Sequence, residues 1–428
     1  MEPTNDPQEI ARRAAVRVAD IASTPGARLD EVARMLQAEL ADSIPELRGD
    51  PLMLDLLRAS VESNVRTFFD LARRGTSMAL ARAPEAAVDY ARRLAQREIS
   101  SNALLRAYRL GQRRVLDWVA SELASGEPDA RVSFAALQTL QDTAFTYIDQ
   151  VSEQVVAEYE SERERWLAHR STIRHATLGA LLAGEDVDVT AAEHALGYRL
   201  RQDHLGLVLW TDGRAAPPNP LERLGQLAST VARELGSESA PLVVPQDRAL
   251  TWGWVPLAPG TRVDPGVLAP LLREVGAGVR VATGAPGAGP RGFRTTHDQA
   301  LRAHHVAVVG AHATRQLTAF TAPGVVPAAI LAGDLAVARD LVAATLGELA
   351  RDDDAAERLR ETLTVFLQEN RSFVATAARV HLHKNTVKYR IDKAVQLRGR
   401  PVDEDRFDLE LALAACRWLG PAVLLPPR

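Results

Sequence analysis

The chain has 428 residues, with 51 Lys+Arg against 55 Asp+Glu, a formal net charge of −4. That length exceeds one ordinary domain, and 46% hydrophobic with 25% charged residues excludes a disordered chain. The single Cys416 excludes a disulfide framework and a thiolate metal cluster.

Only three of the 51 cations are lysines, Lys384, Lys388 and Lys393, and all fall within ten residues. No stretch offers about 20 clean apolar residues; a typical uncharged run, Ala313–Gly333, is broken by Arg315 and Pro323. No membrane association is expected. The first ten residues, MEPTNDPQEI, lack a basic region followed by an apolar one, so no secretory leader is read and a cytoplasmic location is expected.

In chain order, the spacing predicts helices over Ile10–Ser23, Leu29–Leu40, Pro51–Arg74, Glu85–Glu98 and Asn102–Ala124, separated by breaks at Pro25-Gly26, Pro45, Gly75 and Pro84. Residues 1–130 therefore read as a helical bundle. From Ser133 the chain runs without Pro or Gly to Gly179. A heptad fit places Phe134, Leu137, Gln141, Ala144, Ile148, Val151 and Val155 on one seam and fails at Glu158. The same run also fits a bundle helix with a wide apolar face. Residues 131–182 are thus expected to be a connector or dimerisation helix.

Residues 183–322 change character. Leu205–Trp210, Leu242–Val244, Leu250–Val255 and Val279–Ala282 read as strands. Helical patterns lie at Leu221–Leu235, Pro265–Val275 and Phe293–Val309, with loops at Ala215–Pro220, Pro256–Gly260 and Gly284–Gly292. The alternation predicts an α+β domain around a central sheet. Residues 323–428 turn helical again, at Pro327–Leu349, Ala355–Asn370, Phe373–Val380, His383–Leu397 and Asp405–Leu419. The fold class is multidomain and mainly α with a central α+β domain.

Within 359–420, two short helices flank Val380-His381-Leu382. Ala375, Ala377 and Ala378 permit close approach, and Val387, Ile391, Ala394 and Val395 form the inward face of the second helix. This is a helix-turn-helix pattern with His381 where many such turns have Gly, a tolerable departure because His enters positive φ more readily than most residues. The outward face carries Lys384, Asn385, Lys388 and Tyr389, with Thr386, Arg390 and Lys393 beside them. Asn pairs with adenine, and Lys or Arg with guanine or phosphate. His383 falls at the helix start, where backbone N–H groups face an anion, and Arg379 adds charge to the preceding helix. Residues 371–400 sum to net +7 on an otherwise acidic chain. Duplex DNA is the expected partner, read by a homodimer in successive major grooves.

The segments ETLTVFLQEN, ATAARVHLHKNTVKYRI and DRFDLELALA resemble the C-terminal region of the PucR/CdaR family of bacterial transcriptional regulators. That family typically has Arg where this chain has Lys384 and Lys388. Gly292–Arg294 with Ala300 and Ala303 resembles the end of the degenerate GGDEF-like βαββαβ domain common in the family. YARRLAQREISSNALLRAYRLGQ (Tyr90–Gln112) is similar to the helical sensor domain of such regulators and of stressosome co-antagonist proteins. The resemblance implies a regulator that binds promoter DNA through its C-terminal helices, with upstream domains sensing or transmitting a signal.

Within the sensor-like segment, Arg106, Tyr108, Arg109 and Gln112 are candidates for holding a small anionic effector. A protein–protein platform without a small ligand is the alternative for this half. A nucleotide-cyclising enzyme is the other rival. The equivalent hairpin, Pro245-Gln246-Asp247-Arg248, has one acid and no Gly pair, so catalysis is not expected. Gly284–Gly292 lacks the Gly-Lys-Ser/Thr of a phosphate loop and reads as a strand-to-helix connection. No histidine pair has metal-site spacing, and neither metal nor cofactor is expected.

Overall fold

The computed structural model describes residues 6–24, 26–47, 51–74, 81–211, 219–275, 278–311 and 315–427. The breaks expected at Pro25 and Gly75, and most of the Ala215–Pro220 loop, lie outside these. The chain forms two compact units, 1–173 and 174–428.

The first unit is a helical bundle: α1 (Pro7–Ala22), α2 (Gly26–Ser43), α3 (Pro51–Arg74), α4 (Glu85–Gln96), α5 (Ser101–Gly126) and the first part of α6 (Ala130–Ala183). Caps set the ends: Asp6 accepts from the Gln8 amide at α1 and Ser100 from the Asn102 amide at α5. Pro84 stands just before α4 rather than within its first turn. The core includes Met53, Leu57, Phe69, Tyr90, Leu94 and Tyr147.

The buried stripe of α6 is Val132, Ala136, Leu140, Ala144, Tyr147, Val151, Val155 and Tyr159, mostly every fourth residue. Of the seven heptad positions, Ala144, Val151 and Val155 are buried in the bundle, Leu137 and Ile148 are half-buried, and Phe134 and Gln141 face outward. The compact bundle also extends to Ile173 instead of stopping at residue 130.

The second unit opens with the end of α6 and α7 (Val189–Leu196), and centres on a sheet. Its strands are β1 (Asp203–Thr211), β2 (Leu242–Pro245), β3 (Leu250–Leu257), β4 (Val279–Thr283), β5 (Gly287–Ala288) and β6 (Leu317–Ala319), in the order β2-β3-β1-β4-β6, with β5 on β1. Only β4 and β6 pair parallel. The central strand β1 is buried on both faces: Leu205, Leu207 and Leu209 meet α8 (Pro220–Glu234) and α9 (Leu268–Val275), while Val208 shares a core with α10 (Gly289–Gly310).

The stretch read as the loop Gly284–Gly292 is mostly β5 and the first turn of α10. Its glycines let helix and sheet touch: a Cβ on Gly284 would stand 2.0 Å from the Thr296 carbonyl oxygen, and one on Gly292 2.1 Å from Gly287. Close packing accounts for Gly284, Gly287 and Gly292, and a left-handed φ of +66° for Gly289.

The C-terminal helices are α11 (Val325–Leu331), α12 (Leu335–Leu346), α13 (Asp354–Gln368), α14 (Phe373–Arg379), α15 (Lys384–Arg398) and α16 (Arg406–Leu419). The helix expected over Pro327–Leu349 is two, divided where Asp334 caps α12 by accepting from the Ala336 and Val337 amides, each at 3.1 Å. Ala300, Ala303 and Val306 of α10 join Val325, Val342, Leu409 and Leu413 in one buried cluster. The two regions separated in the sequence reading at residue 322 thus share a core.

Candidate nucleic-acid interface

Helix α14 starts at Ser372, whose hydroxyl accepts from the Ala375 amide at 3.2 Å. It ends at Val380, and His381 follows with φ +53°. A left-handed residue here turns the chain within four residues, and imidazole is one of the side chains that enters this region without gross strain. Val380 and Leu382 pack against the core on either side of it. Thr376 and Ala377 are the buried contacts of α14, while Ala378 is exposed.

His383 is the N-cap of α15, with its Nδ1 accepting from the Asn385 amide at 3.3 Å. Val387, Ile391 and Ala394 are buried on the inward side. The outward side presents Lys384, Asn385, Thr386, Lys388 and Tyr389, all exposed. Gly399, at φ +76°, closes the helix.

The expected cations divide into two sets. Lys384 and Lys388 are exposed, with no ion pair among the described residues. The others are engaged. Arg379 pairs with Glu369 at 2.6 Å, and Arg390 donates to the Thr362 hydroxyl at 3.1 Å from a half-buried position. Lys393, also half-buried, donates to Gln396 at 3.0 Å. Arg371 pairs with Asp403, and Arg400 with Asp405 at 2.6 Å.

Arg398 is structural: its side chain is 1% exposed, pairs with Asp405 and donates to the carbonyls of Thr345 at 3.0 Å and Pro401 at 2.6 Å. The net +7 is therefore an overestimate of free charge. Widening the window to 369–405 brings in Glu369, Asp403, Glu404 and Asp405 and lowers the sum to +3. Those four acids were visible in the sequence, a few residues beyond the counted run.

The four sensor candidates do not converge. Arg106 is exposed and lies 3.9 Å from Glu46, and Arg109 is exposed. Tyr108 and Gln112 instead line an internal cavity of the bundle. The two arginines thus stand apart from Tyr108 and Gln112.

In the middle region, the β2–β3 hairpin holds Asp247. Its carboxylate accepts from the Ala249 amide at 2.7 Å and the Leu250 amide at 2.8 Å, fastening the turn.

Three segments match known families. Residues 30–174 match the RsbT co-antagonist protein rsbRD N-terminal domain, 181–306 the GGDEF-like domain, and 359–415 the PucR C-terminal helix-turn-helix domain. In chain order the three matches are an RsbRD-type N-terminal domain, a GGDEF-like domain and a PucR-type helix-turn-helix. Among curated relatives, the purine catabolism regulatory protein of Bacillus subtilis (strain 168) is 34% identical over 70 residues, 16% of this chain and 13% of that protein. The transcriptional activator PmfR of Paenarthrobacter nicotinovorans is 35% identical over 77 residues, 18% and 16% respectively. The matched stretches thus span a small part of both relatives.

The crystal structure of a regulator of polyketide synthase expression from Bifidobacterium adolescentis is 20% identical, covering 58% of this chain and 93% of that one. Its TM-score of 0.29 supports no comparison of fold.

Two features escaped the sequence reading. The pairing of Arg398 with Asp405 inside the helix-turn-helix region was one, though the positions lie seven residues apart. The second is an aromatic nest in the GGDEF-like region. His297, 3% exposed, lies 4.4 Å from the Trp252 ring and 4.8 Å from the Trp254 ring. Neither of its ring nitrogens has a hydrogen-bond partner, and burial pushes its pKa down to about 4.

Proposed function

We propose that this protein is a cytoplasmic, homodimeric transcription regulator that reads duplex promoter DNA with α15 and answers to a signal received by its upstream helices. The observation that carries this reading is the outward face of α15. It sets Asn385, the residue type that pairs with adenine, between two unpaired lysines, directly after a capped helix start. The half-buried Arg390 and the paired Arg379 have supporting roles, and Thr386, Tyr389 and Lys393 flank the contact. Two helices in a dimer would occupy half-sites one DNA turn apart, about 34–36 Å.

The GGDEF-like region acts as a non-catalytic part of the regulator. Asp247 is bound by backbone amides, which supports its reading as a turn residue over a metal ligand. Incubating the protein with GTP and Mg²⁺ tests this; sustained turnover would restore the enzyme reading.

Selection from a random duplex library supplies a binding site for gel-shift measurement. Asn385→Ala is expected to weaken binding by about tenfold, given about 1–3 kcal/mol per base contact, and Lys388→Ala to weaken it through a lost phosphate contact. Unchanged affinity in both, with an unchanged far-UV spectrum, overturns the assignment.

A further inference from the structure

The N-terminal bundle holds a partly open cavity of about 90 Å³ between α2, α3, α4, α5 and α6. Its walls are mostly apolar, and among the described residues none of the lining side chains is charged. Two polar atoms are left over in it. The Tyr90 hydroxyl, on a residue 1% exposed, has no hydrogen-bond partner, and neither does Gln112 Nε2. The Tyr108 hydroxyl is buried beside Asn64, whose Oδ1 accepts from the Tyr147 hydroxyl at 3.1 Å and whose Nδ2 donates to the Ser60 carbonyl at 2.8 Å. Buried donors without acceptors are costly, and a bundle core that keeps two of them has a use for them.

Gly111 provides a second observation. It lies in the middle of α5 among the lining residues, where glycine costs a helix about 0.5–1 kcal/mol relative to alanine. A Cβ there would meet no atom within 4 Å. The glycine is therefore not required by close packing, and what it provides is open space beside Tyr108 and Gln112, both only half-buried.

We propose that this cavity binds a small neutral molecule, one ring in size, carrying an oxygen that accepts hydrogen bonds. Gln112 Nε2 can only donate, and the tyrosine hydroxyls can donate as well, so the ligand needs an acceptor. A carboxylate would be buried without a counter-charge, which excludes an acid. Apolar cavities of roughly 150 Å³ take up benzene. A smaller, partly open chamber with free space at Gly111 suits a ring inside with its polar group toward Tyr108 and Gln112. The proposal rests on the regulator reading only in calling this molecule a signal; binding itself needs no DNA.

The test is titration calorimetry on the full-length protein without DNA, using phenol, benzene and benzoate as probes. Phenol is expected to bind with Kd on the order of 1 mM, benzene about fivefold more weakly for want of the hydrogen bond, and benzoate not at all. Gly111→Leu fills the opening and is expected to abolish phenol binding while melting no lower than the parent. Tyr90→Phe folds without the unpartnered hydroxyl and should narrow the gap between phenol and benzene. Absence of phenol binding to the parent protein, undiminished binding in Gly111→Leu, or equal binding of benzoate would each overturn the proposal. A separate gel shift without phenol reports on DNA reading, so the two can fail independently.

Discussion

Alanine at Lys388 deletes one of the two unpaired lysines on the outward face of α15 and leaves the packing of that helix intact, because its buried contacts come from Val387, Ile391 and Ala394. Each phosphate contact contributes about 0.9 to the slope of log K against log salt. A dimer carries the substitution twice, so the slope should fall by about 1.8. A fall of about 0.9 would mean that one recognition helix engages at a time.

Arg379→Ala is the internal control. Its guanidinium is held by Glu369 at 2.6 Å, so it releases few counterions on binding, and the slope should change by less than about 0.5. Both slopes come from gel shifts or fluorescence anisotropy between about 50 and 200 mM salt. The reasoning is refuted if Arg379→Ala reduces the slope as much as Lys388→Ala does, since the ion pairs seen here would then open on DNA and the full +7 would count.

Other expectations follow from single contacts. Arg398→Met should destabilise the C-terminal region by about 3 kcal/mol or more, measured by urea unfolding, because Asp405 and three backbone carbonyls lose a buried donor; Lys388→Ala should leave the same transition unmoved. His297 has a folded pKa of about 4 against 6.5 for the free side chain. The unfolded chain therefore holds more protons between these values. The histidine's stabilisation is complete above pH 6.5 and is lost as pH falls toward 4. Between pH 7 and 4.5 the loss is about 2 kcal/mol; His297→Leu should remove that part of the acid sensitivity, and an equal pH slope in the variant would count against the assignment. Gly284→Ala drives a methyl into the Thr296 carbonyl, 2.0 Å away, and should cost about 1–3 kcal/mol by overpacking. Wild-type stability would mean the helix α10 can shift at little cost.

What could be read from the sequence was whatever a local pattern decides. The bounds of α3, Pro51–Arg74, follow from its apolar spacing and the prolines and glycines around it. The turn at Val380-His381-Leu382 was legible because apolar anchors flank a residue that tolerates positive φ. The two-residue β5 and three-residue β6 were not. Strands that short carry no alternation, and they exist only because β1 and β4 offer them edges.

The candidate face of α15 was readable for the same reason as α3, through i, i+4 spacing. Which of its cations are free was not. That depends on Glu369, Asp403 and Asp405 folding back on the arginines, a tertiary fact. The long run on α6 was ambiguous for another reason. Over three heptads, periods of 3.5 and 3.6 drift apart by only about 60°, so one sequence does not separate a two-stranded seam from a bundle face.

The shared core of α10 bears on how mutants of this protein would be interpreted. Ala300, Ala303 and Val306 sit in the same buried cluster as Val387 and Ile391 beneath the proposed DNA-reading face. A bulky residue at Ala303 would thus register in a promoter-reporter screen as a failure to bind DNA. Such a lesion would lie in the GGDEF-like region, and it would be easy to credit it with carrying a message. In a continuous core the simpler cause is that both regions melt together, so loss of binding there has to be paired with a melting curve before it is credited to signalling.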